Sequence, residues 1–291
     1  MATRSNAPLI VIAGPTASGK SALVIELAQQ CDGEIICADS RTIYKYMDIG
    51  TAKPSAAEQA LVPHWGLDLV EPGEPFSAAN FKHYAEQKID EIRARGHVPF
   101  LVGGTGLYID AIILDYQFGQ PADAKRRAEL EQMSIQDLQK YCIENNINLP
   151  ENDKNKRYLV RAVEQHGINT TRRDTTIDNT IVVGIATDND VLRERIKARA
   201  EHLFETGMVE EAIMLGKKYG WNSEAMTGNI YKLVRQFLDG ELTENELKEK
   251  NQTADWRLAK RQITWLKRNK FIHWLSLNEA RTFIENSLSF K

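Results

Sequence analysis

The chain has 291 residues, of which 42% are hydrophobic and 26% charged, and its formal net charge is −3. This composition is typical of a globular protein, and the small net charge excludes a chain-wide attraction to nucleic acid, so such binding requires a local patch. No apolar run approaches the roughly 20 residues that span a bilayer, and the N-terminus lacks the apolar core of a signal peptide. We therefore expect a cytoplasmic protein without a membrane partner.

Residues 9–21 predict a phosphate-binding loop between a strand and a helix. Residues 9–12 are apolar and mostly β-branched, as in a buried strand, and the segment 14–21, GPTASGKS, matches G-x-x-x-x-G-K-[ST] at every fixed position. Backbone N–H groups and the helix N-terminus would bind phosphate oxygens, while Lys20 supplies a positive charge and Ser21 a hydroxyl ligand for Mg²⁺. The predicted residues for a di- or triphosphate are Gly14, Pro15, Thr16, Ala17, Ser18, Gly19, Lys20 and Ser21.

Two further predicted strands end near this loop. Residues 34–38 form the second strand and lead to Asp39, and residues 98–102 form the third strand, which leads to a glycine-rich turn containing Thr105. In open α/β sheets ligands bind at the carboxyl ends of the strands. Asp39 could therefore hold Mg²⁺, accept a proton from a nucleophile, or simply stabilise a turn. The glycine turn could admit a ligand or only close the packing of strand and helix.

The rest of the chain continues the α/β pattern with one interruption. Residues 40–54 predict a structured loop and residues 77–95 a helix. From 117 to 177 the sequence is polar and helical without a convincing strand, which predicts a short helical insertion. A strand at 181–186 and a long helix then return to the core, and we expect the remainder from Trp221 onward to be helical.

The predicted core is therefore an α/β domain made of residues 1–116 and 178–291, with the insertion at 117–177. Within the insertion, Arg157 and Arg161 are four residues apart and share one helix face. From the spacing alone this face could be a solvated charged surface or a phosphate contact.

The segment 256–270 carries six basic residues and no acidic one. At 100° per residue, most of the basic residues share one side of a helix, and the apolar residues share another side that would pack on the core. The basic side consists of Arg257, Lys260, Arg261, Lys267 and Arg268, and the apolar side of Trp256, Ala259, Ile263 and Leu266. A wholly cationic face favours contact with the phosphate backbone of a nucleic acid, the alternative being a solvated face.

Together these motifs resemble the tRNA dimethylallyltransferase family, also called tRNA isopentenyltransferases. The matching segments, in the family's order, are GPTASGKS (14–21), DSRTIYKYMDIGTAKP (39–54), HWGLD (64–68), GGTGLY (103–108), RYLVRAVE (157–164) and AKRQITW (259–265). The resemblance implies a P-loop NTPase-like parallel sheet core with a helical insertion and a helical, tRNA-binding C-terminal region. It also implies transfer of a dimethylallyl group from dimethylallyl diphosphate to N6 of the adenosine 3′ of the anticodon, without ATP as a substrate.

The resemblance further implies roles for individual residues. The diphosphate would lie on residues 14–21 with Mg²⁺ on Ser21, and Lys20 would stabilise the departing negative charge. Asp39 would accept the N6 proton, and Thr105 would orient the amine of a base flipped out of its stack. The implied tRNA contacts are Asp39, Ser40, Arg41, Thr42, Thr105, Arg127, Arg157, Arg161, Lys260, Arg261, Gln262, Thr264, Trp265 and Lys267. We expect a monomer with Mg²⁺ as cofactor and the tRNA anticodon stem-loop as partner.

The chain departs from the family pattern in several places: the T-R pair that usually precedes AKRQ is displaced, the insertion is shorter than usual, and three motif positions differ. Thr42 stands where the family usually has glutamine, Trp65 where many members have histidine, and Ile230-Tyr231 where a glycine-tyrosine pair is common. Two other functions are also compatible with a phosphate-binding loop. A small-molecule kinase would leave the segment MDIGTAKP and the cationic segment without a purpose. A nucleotide-gated RNA-binding protein would need no base at Asp39.

Overall fold

A computed structural model of the chain describes residues 7–119, 123–166, 172–223 and 225–288. The chain divides into two compact units, Met1–Ile109 with Asp178–Lys291, and Asp110–Ile177. The sequence places the start of the insertion at residue 117, whereas the second unit starts at Asp110, inside a helix. Within the part that is described, no helix has both the length and the apolar character needed to cross a membrane.

The first unit is built on a six-stranded parallel sheet. Its strands are β1 (Leu9–Ala13), β2 (Gly33–Ala38), β3 (His64–Trp65), β4 (Val98–Gly103), β5 (Thr180–Ile185) and β6 (His273–Leu275), in the order β3-β2-β4-β1-β5-β6. Every residue of β1, β2 and β4 is buried, as expected for parallel strands covered on both faces. The predicted α/β class with a parallel sheet is confirmed.

Twelve α-helices are described. They are α1 (Lys20–Gln30), α2 (Ala56–Leu61), α3 (Ala78–Ala94), α4 (Gly106–Ile113), α5 (Ala124–Gln132), α6 (Ile135–Glu144), α7 (Lys156–Glu164), α8 (Asn189–Glu205), α9 (Met208–Tyr219), α10 (Asn229–Leu238), α11 (Glu244–Leu266) and α12 (Leu277–Leu288). The predicted helix at 77–95 is α3, which begins with a capping box between Ser77 and Asn80.

Two expectations for the C-terminal region are wrong. The region from Trp221 onward is not wholly helical, because His273–Leu275 forms β6 and pairs with β5 at the edge of the sheet. A three-residue strand is too short to show alternation, and its hydrogen-bonding partner lies far away in sequence. The cationic segment is also not one helix to residue 270, because α11 ends at Leu266 and Lys267 is its C-cap. Arg268 and Lys270 therefore lie beyond the helix.

The second unit contains α5, α6 and α7. Their apolar faces meet in a small core that includes Leu130, Leu138, Cys142 and Leu159, all fully buried. The described residues between 114 and 177 include no strand, in agreement with the helical pattern. Part of the threonine-rich run at 170–176 lies outside the described residues.

Candidate active site

A cleft of about 660 Å³ lies at the carboxyl ends of β1, β2 and β4, within the first unit. The segments that follow these strands all line it: residues 16–21 after β1, 39–42 after β2, and Thr105 after β4. Helices α8, α10 and α11 and the loop that contains Gly50 and Pro54 contribute further walls. This position is the crevice in which open α/β sheets bind their ligands.

The phosphate-binding loop has the geometry that leaves backbone donors free for an anion. Gly19 is the N-cap of α1 with φ 88°, a conformation that glycine adopts without strain, and it offers no side chain to the helix terminus. Ala17 also has a positive φ, of 61°, so the loop turns sharply just before the helix. The first N–H groups of α1 thus lack a side-chain cap, as in a helix terminus that binds phosphate.

Lys20 is the cationic residue at the centre of this loop. Its Nζ donates to the carbonyl oxygen of Pro15 at 3.0 Å. Burial lowers the pKa of Lys20 to about 8; the nearby charge of Arg199 adds to this, while Asp39 and Cys37 oppose it. A partly buried ammonium held by one carbonyl is stabilised by an arriving phosphate, so the charge of the loop favours an anionic ligand.

Two arginines of α8 complete the cationic wall, and sequence reasoning missed their role. Arg195 Nη1 donates to the carbonyl oxygen of Ser18 at 2.9 Å, and the guanidinium of Arg199 donates to the hydroxyl of Thr16. Both line the cleft, and the Nε of Arg199 is buried without a hydrogen-bond partner among the described residues. Arg195 and Arg199 are four residues apart and share one side of α8, but acidic neighbours on the helix balance their charge, so the sequence signal was weak.

Asp39 and Thr105 lie on the same side of the cleft. Asp39 Oδ1 accepts from the N–H of Arg41 at 2.8 Å, which is the only hydrogen bond seen for its carboxylate among the described residues. The hydroxyl of Thr105 accepts from the N–H of Ser40 at 3.1 Å, and its own N–H donates to the carbonyl of Ala38. Asp39 thus stabilises a turn with one carboxylate oxygen, while its second oxygen makes no hydrogen bond with a described residue.

The segment AKRQITW docks directly on the phosphate-binding loop. Gln262 Oε1 accepts from the N–H of Thr16 at 2.8 Å. A Cβ at Gly104 would lie 2.3 Å from Gln262 Nε2, and a Cβ at Gly106 would lie 2.0 Å from the ring of Trp265. The missing side chains of the glycine-rich turn therefore let α11 approach closely. Of the two roles that the sequence leaves open for these glycines, the contacts support close packing. The tRNA contacts of Gln262 and Trp265 stay a prediction.

Four basic residues on the outer side of α11 and at its C-cap are exposed: Arg257, Lys260, Arg261 and Lys267. We call them the α11 basic surface. None of them makes an ion pair with a residue that the structure describes, and Arg261 also lines the cleft. On the other side, Ala259 and Leu266 are buried as predicted, and Trp256 and Ile263 are partly buried. Thr264 is exposed nearby, and its hydroxyl donates to the carbonyl of Lys260 at 2.8 Å.

In the second unit, two of the three predicted arginines are held by one carboxylate. Arg127 donates twice to Glu164, at 2.8 and 2.7 Å, and Arg161 donates at 3.0 Å. Burial raises the pKa of Glu164, but the hydrogen bonds and charges of the two arginines outweigh burial and lower this pKa. Arg157 is exposed and has no ion pair with a described residue. On this helix face, Arg157 therefore keeps a charge available for phosphate, whereas Arg161 has a structural partner.

The departures at Thr42, Trp65 and Ile230-Tyr231 occupy distinct environments. Thr42 lines the cleft, but it is buried, and its hydroxyl lies 3.5 Å from the carbonyl oxygen of Asp39. Trp65 is not among the lining residues; its Nε1 donates to the buried Glu34 at 2.6 Å. Ile230 and Tyr231 line the cleft at the start of α10. These residues therefore affect different parts of the first unit.

The oxygen donors of the cleft fit a magnesium ion that binds with its phosphate ligand. The Ser21 hydroxyl is exposed at the start of α1, and both Ser21 and Asp39 line the cleft. The described residues hold no cluster of three or more His, Cys, Asp or Glu side chains suited to a metal. A hydroxyl and a carboxylate suit Mg²⁺, which keeps waters and shares substrate phosphates rather than needing a protein cage.

Comparison with known proteins identifies relatives over nearly the whole chain. The family model described as IPP transferase matches residues 42–269. A protein of Acetivibrio thermocellus named tRNA dimethylallyltransferase is 37% identical, with 93% of this chain and 92% of that protein covered. One of the same name from Streptococcus mutans is 37% identical, covering 94% and 93%. The crystal structure of the tRNA isopentenylpyrophosphate transferase from Bacillus halodurans is 34% identical, with a TM-score of 0.74 and 97% of each chain covered.

Proposed function

Since the chain belongs to the IPP transferase family, we propose that it transfers the dimethylallyl group of dimethylallyl diphosphate to N6 of the adenosine 3′ of the anticodon in tRNA. One observation carries this proposal: a cationic diphosphate cradle and a carboxylate, Asp39, line the same cleft at the ends of neighbouring strands. The reaction needs these two chemistries, a site for the leaving group and a base for the nucleophile.

The leaving diphosphate binds the loop 14–21. The uncapped N-terminus of α1 and the ammonium of Lys20 contact its oxygens. Arg195 and Arg199 lie against the same loop, so they add positive charge where negative charge develops as the C–O bond breaks. Ser21 would hold Mg²⁺ with the diphosphate, and the bound cation would neutralise part of that charge.

The nucleophile is the exocyclic amine of adenine, whose lone pair is delocalised into the ring. That lone pair forms a bond to C1 of the dimethylallyl group, and the electron pair of the broken C–O bond leaves with diphosphate. The amine proton passes to the free carboxylate oxygen of Asp39, because the other oxygen is used by Arg41. The hydroxyl of Thr105 accepts a hydrogen bond from the N–H of Ser40, which keeps Thr105 next to Asp39. From this position Thr105 orients the amine.

The tRNA enters with the target base out of its stack, because a cleft within the sheet crevice cannot admit a stacked nucleotide. The α11 basic surface supplies cations for RNA phosphates, and Arg261 links this surface to the cleft. In the second unit, Arg157 is the predicted arginine with no ion pair among described residues. A tRNA substrate also supports a cytoplasmic location for the enzyme.

One reaction tests the proposal. The protein is mixed with Mg²⁺, an unmodified anticodon stem-loop with adenosines 3′ of the anticodon, and either dimethylallyl diphosphate or ATP. We expect the RNA to gain the mass of one C5H8 unit with the diphosphate donor and no mass with ATP. Phosphate transfer from ATP to a small alcohol would indicate a kinase. RNA that binds but stays unmodified with the diphosphate donor would refute the proposal.

A further inference from the structure

We propose that Glu211 is a positioning residue for prenyl transfer, because its buried carboxylate fixes the loop 48–54 as a wall of the cleft. Glu211 lies on α9 and is only 8% exposed. The inference rests on the proposed function and adds a residue to it that touches neither substrate.

The carboxylate of Glu211 is fully hydrogen-bonded. Oε2 accepts from the N–H groups of Asp48 and Ile49 at 2.8 and 2.7 Å, and Oε1 accepts from the N–H of Gly50 at 2.9 Å and from the hydroxyl of Tyr231 at 2.8 Å. Three successive backbone N–H groups that converge on one anion resemble the concave sites in which proteins bind phosphate. Here a side chain of the protein itself provides the anion, which holds the loop in one conformation.

The same loop is held from its other end by Lys53. The ammonium of Lys53 donates to the carbonyl of Tyr44 at 3.0 Å and to the carboxylates of Asp48 and Asp68 at 2.5 and 2.7 Å. Its side chain is only 3% exposed. The segment MDIGTAKP thus supplies both anchors, the N–H groups that bind Glu211 and the lysine that binds two aspartates.

Close packing against Tyr231 requires glycine at position 50, where the loop binds Glu211. A Cβ at Gly50 would lie 2.6 Å from the hydroxyl oxygen of Tyr231 and 2.7 Å from its ring. Any larger residue would therefore push the loop away from α10 and from the carboxylate. A buried carboxylate is weak evidence for stability, since apolar replacements of buried charges are often neutral. Here the carboxylate instead serves to hold the loop in a single conformation.

The loop is part of the cleft, which connects this anchor with the reaction. Gly50, Thr51, Ala52 and Pro54 line the cleft together with Tyr231. No described residue of the phosphate-binding loop 14–21 makes a hydrogen bond with the loop 48–54. A change at Glu211 therefore reaches the reacting atoms through the shape of the cleft and leaves diphosphate binding unaltered.

The decisive variant is Glu211→Gln. Its amide group would place N–H donors against N–H donors, so at least one of the hydrogen bonds to the loop would break. We expect kcat for prenyl transfer to fall by roughly tenfold or more, since small displacements in a reactive complex are costly. The dissociation constant for inorganic diphosphate should stay at the wild-type value. Tyr231→Phe removes one hydrogen bond only and should lower kcat by roughly twofold to fivefold.

Two matched variants separate positioning from a loss of stability. Glu210→Gln removes the same charge at the neighbouring, exposed position of α9 and should keep wild-type kcat. Leu215→Val trims a fully buried residue of α9 that does not line the cleft; it should lower the melting temperature and keep kcat at an assay temperature well below melting. If Glu211→Gln does not fold, Tyr231→Phe with the same controls decides the question.

The outcomes are distinct from those that test the function itself. Lower kcat in Glu211→Gln or Tyr231→Phe, with unchanged diphosphate affinity, supports the inference. Wild-type kcat in both variants overturns it, as does a kcat that falls with melting temperature in Leu215→Val as well. Absence of prenyl transfer by the wild-type protein would instead refute the proposed function.

Discussion

Asp39 combines an observed structural contact with a proposed chemical role in one side chain. One carboxylate oxygen accepts from the N–H of Arg41, which shapes the turn after β2, and the other is available in the cleft. Asparagine can keep the first contact through its carbonyl oxygen, but its amide cannot accept a proton from an amine. The substitution therefore separates the two roles.

We expect Asp39→Asn to retain tRNA binding while lowering the single-turnover rate of prenyl transfer by roughly 10²–10⁴, the range of a general base. Rapid-quench measurements with enzyme in excess over stem-loop would give this rate, and filter binding would give the affinity. A variant with a near wild-type rate would leave Asp39 with the turn role only.

Lys20 leads to a prediction about pH. Its pKa in the free protein is lowered to about 8, chiefly by burial, and a bound diphosphate favours the protonated ammonium. The affinity for dimethylallyl diphosphate should thus be nearly constant from pH 7 to 8 and fall by up to roughly tenfold per pH unit above that. Titration calorimetry would measure the dissociation constant. In Lys20→Arg, whose guanidinium stays charged, the affinity should not fall over this range; a fall equal to that of the wild type would exclude Lys20 as its source.

Among the elements, α11 serves two parts of the site at once. Its inner side contacts the phosphate-binding loop through Gln262, and its outer side carries the α11 basic surface. One helix thereby connects the α11 basic surface, proposed to bind RNA, with the phosphate-binding loop, proposed to bind the diphosphate. Binding of RNA and of the donor can be tested separately because the residues involved lie on different sides.

Replacing the whole α11 basic surface (Arg257, Lys260, Arg261 and Lys267) by glutamine should weaken tRNA binding and flatten its salt dependence. The slope of log affinity against log salt should become smaller by about one for each RNA phosphate that the variant no longer neutralises. Filter binding at several salt concentrations measures this slope. Lys217→Gln with Lys250→Gln, two exposed lysines elsewhere on α9 and α11, is the control and should leave the slope unchanged. An unaltered slope in the fourfold variant would show that this surface is only solvated.

The local motifs were predictable, whereas contacts between distant segments were not. The loop 14–21 and the positions of Asp39 and Thr105 follow from patterns within a few residues, because strand ends and glycine turns are local signals. Arg195 was hidden because acidic neighbours on α8 balance its charge in the sequence. The three-residue β6 has no periodicity of its own, and it forms only where β5 offers an edge.

At the scale of the whole molecule, each unit contains a glutamate whose buried side chain holds arginine. Glu34 of the first unit bonds Arg95, His97 and Trp65, and Glu164 of the second bonds Arg127 and Arg161. Burial raises the pKa of both carboxyls, but the hydrogen bonds outweigh it and lower both below the ordinary 4.5. Their stabilisation is thus present above pH 4.5 and is lost as the pH falls through the lowered values.

The melting temperature should accordingly fall steeply only below about pH 4.5. Glu34→Gln and Glu164→Gln should have lower melting temperatures than the wild type at pH 7. On further acidification their melting temperatures should fall less than that of the wild type. Circular dichroism melts between pH 7 and 3 would show both effects, with the exposed Glu249→Gln as the control. If both variants lose as much on acidification as the wild type, other carboxyls control acid unfolding.

The contact between Thr16 and Gln262 joins residues 246 positions apart, and Arg199 meets Thr16 across 183 positions. During synthesis, the first strand and its phosphate-binding loop leave the ribosome long before these partners exist. β1 also cannot pair within the sheet until its two neighbours, β4 and β5, have been synthesised. Folding dominated by such distant contacts is slow, and the usual domain-by-domain order from the N-terminus does not help here. The phosphate-binding loop of a nascent chain therefore gains its contact with Gln262 only after α11 has been translated, and every incomplete chain released earlier lacks that contact.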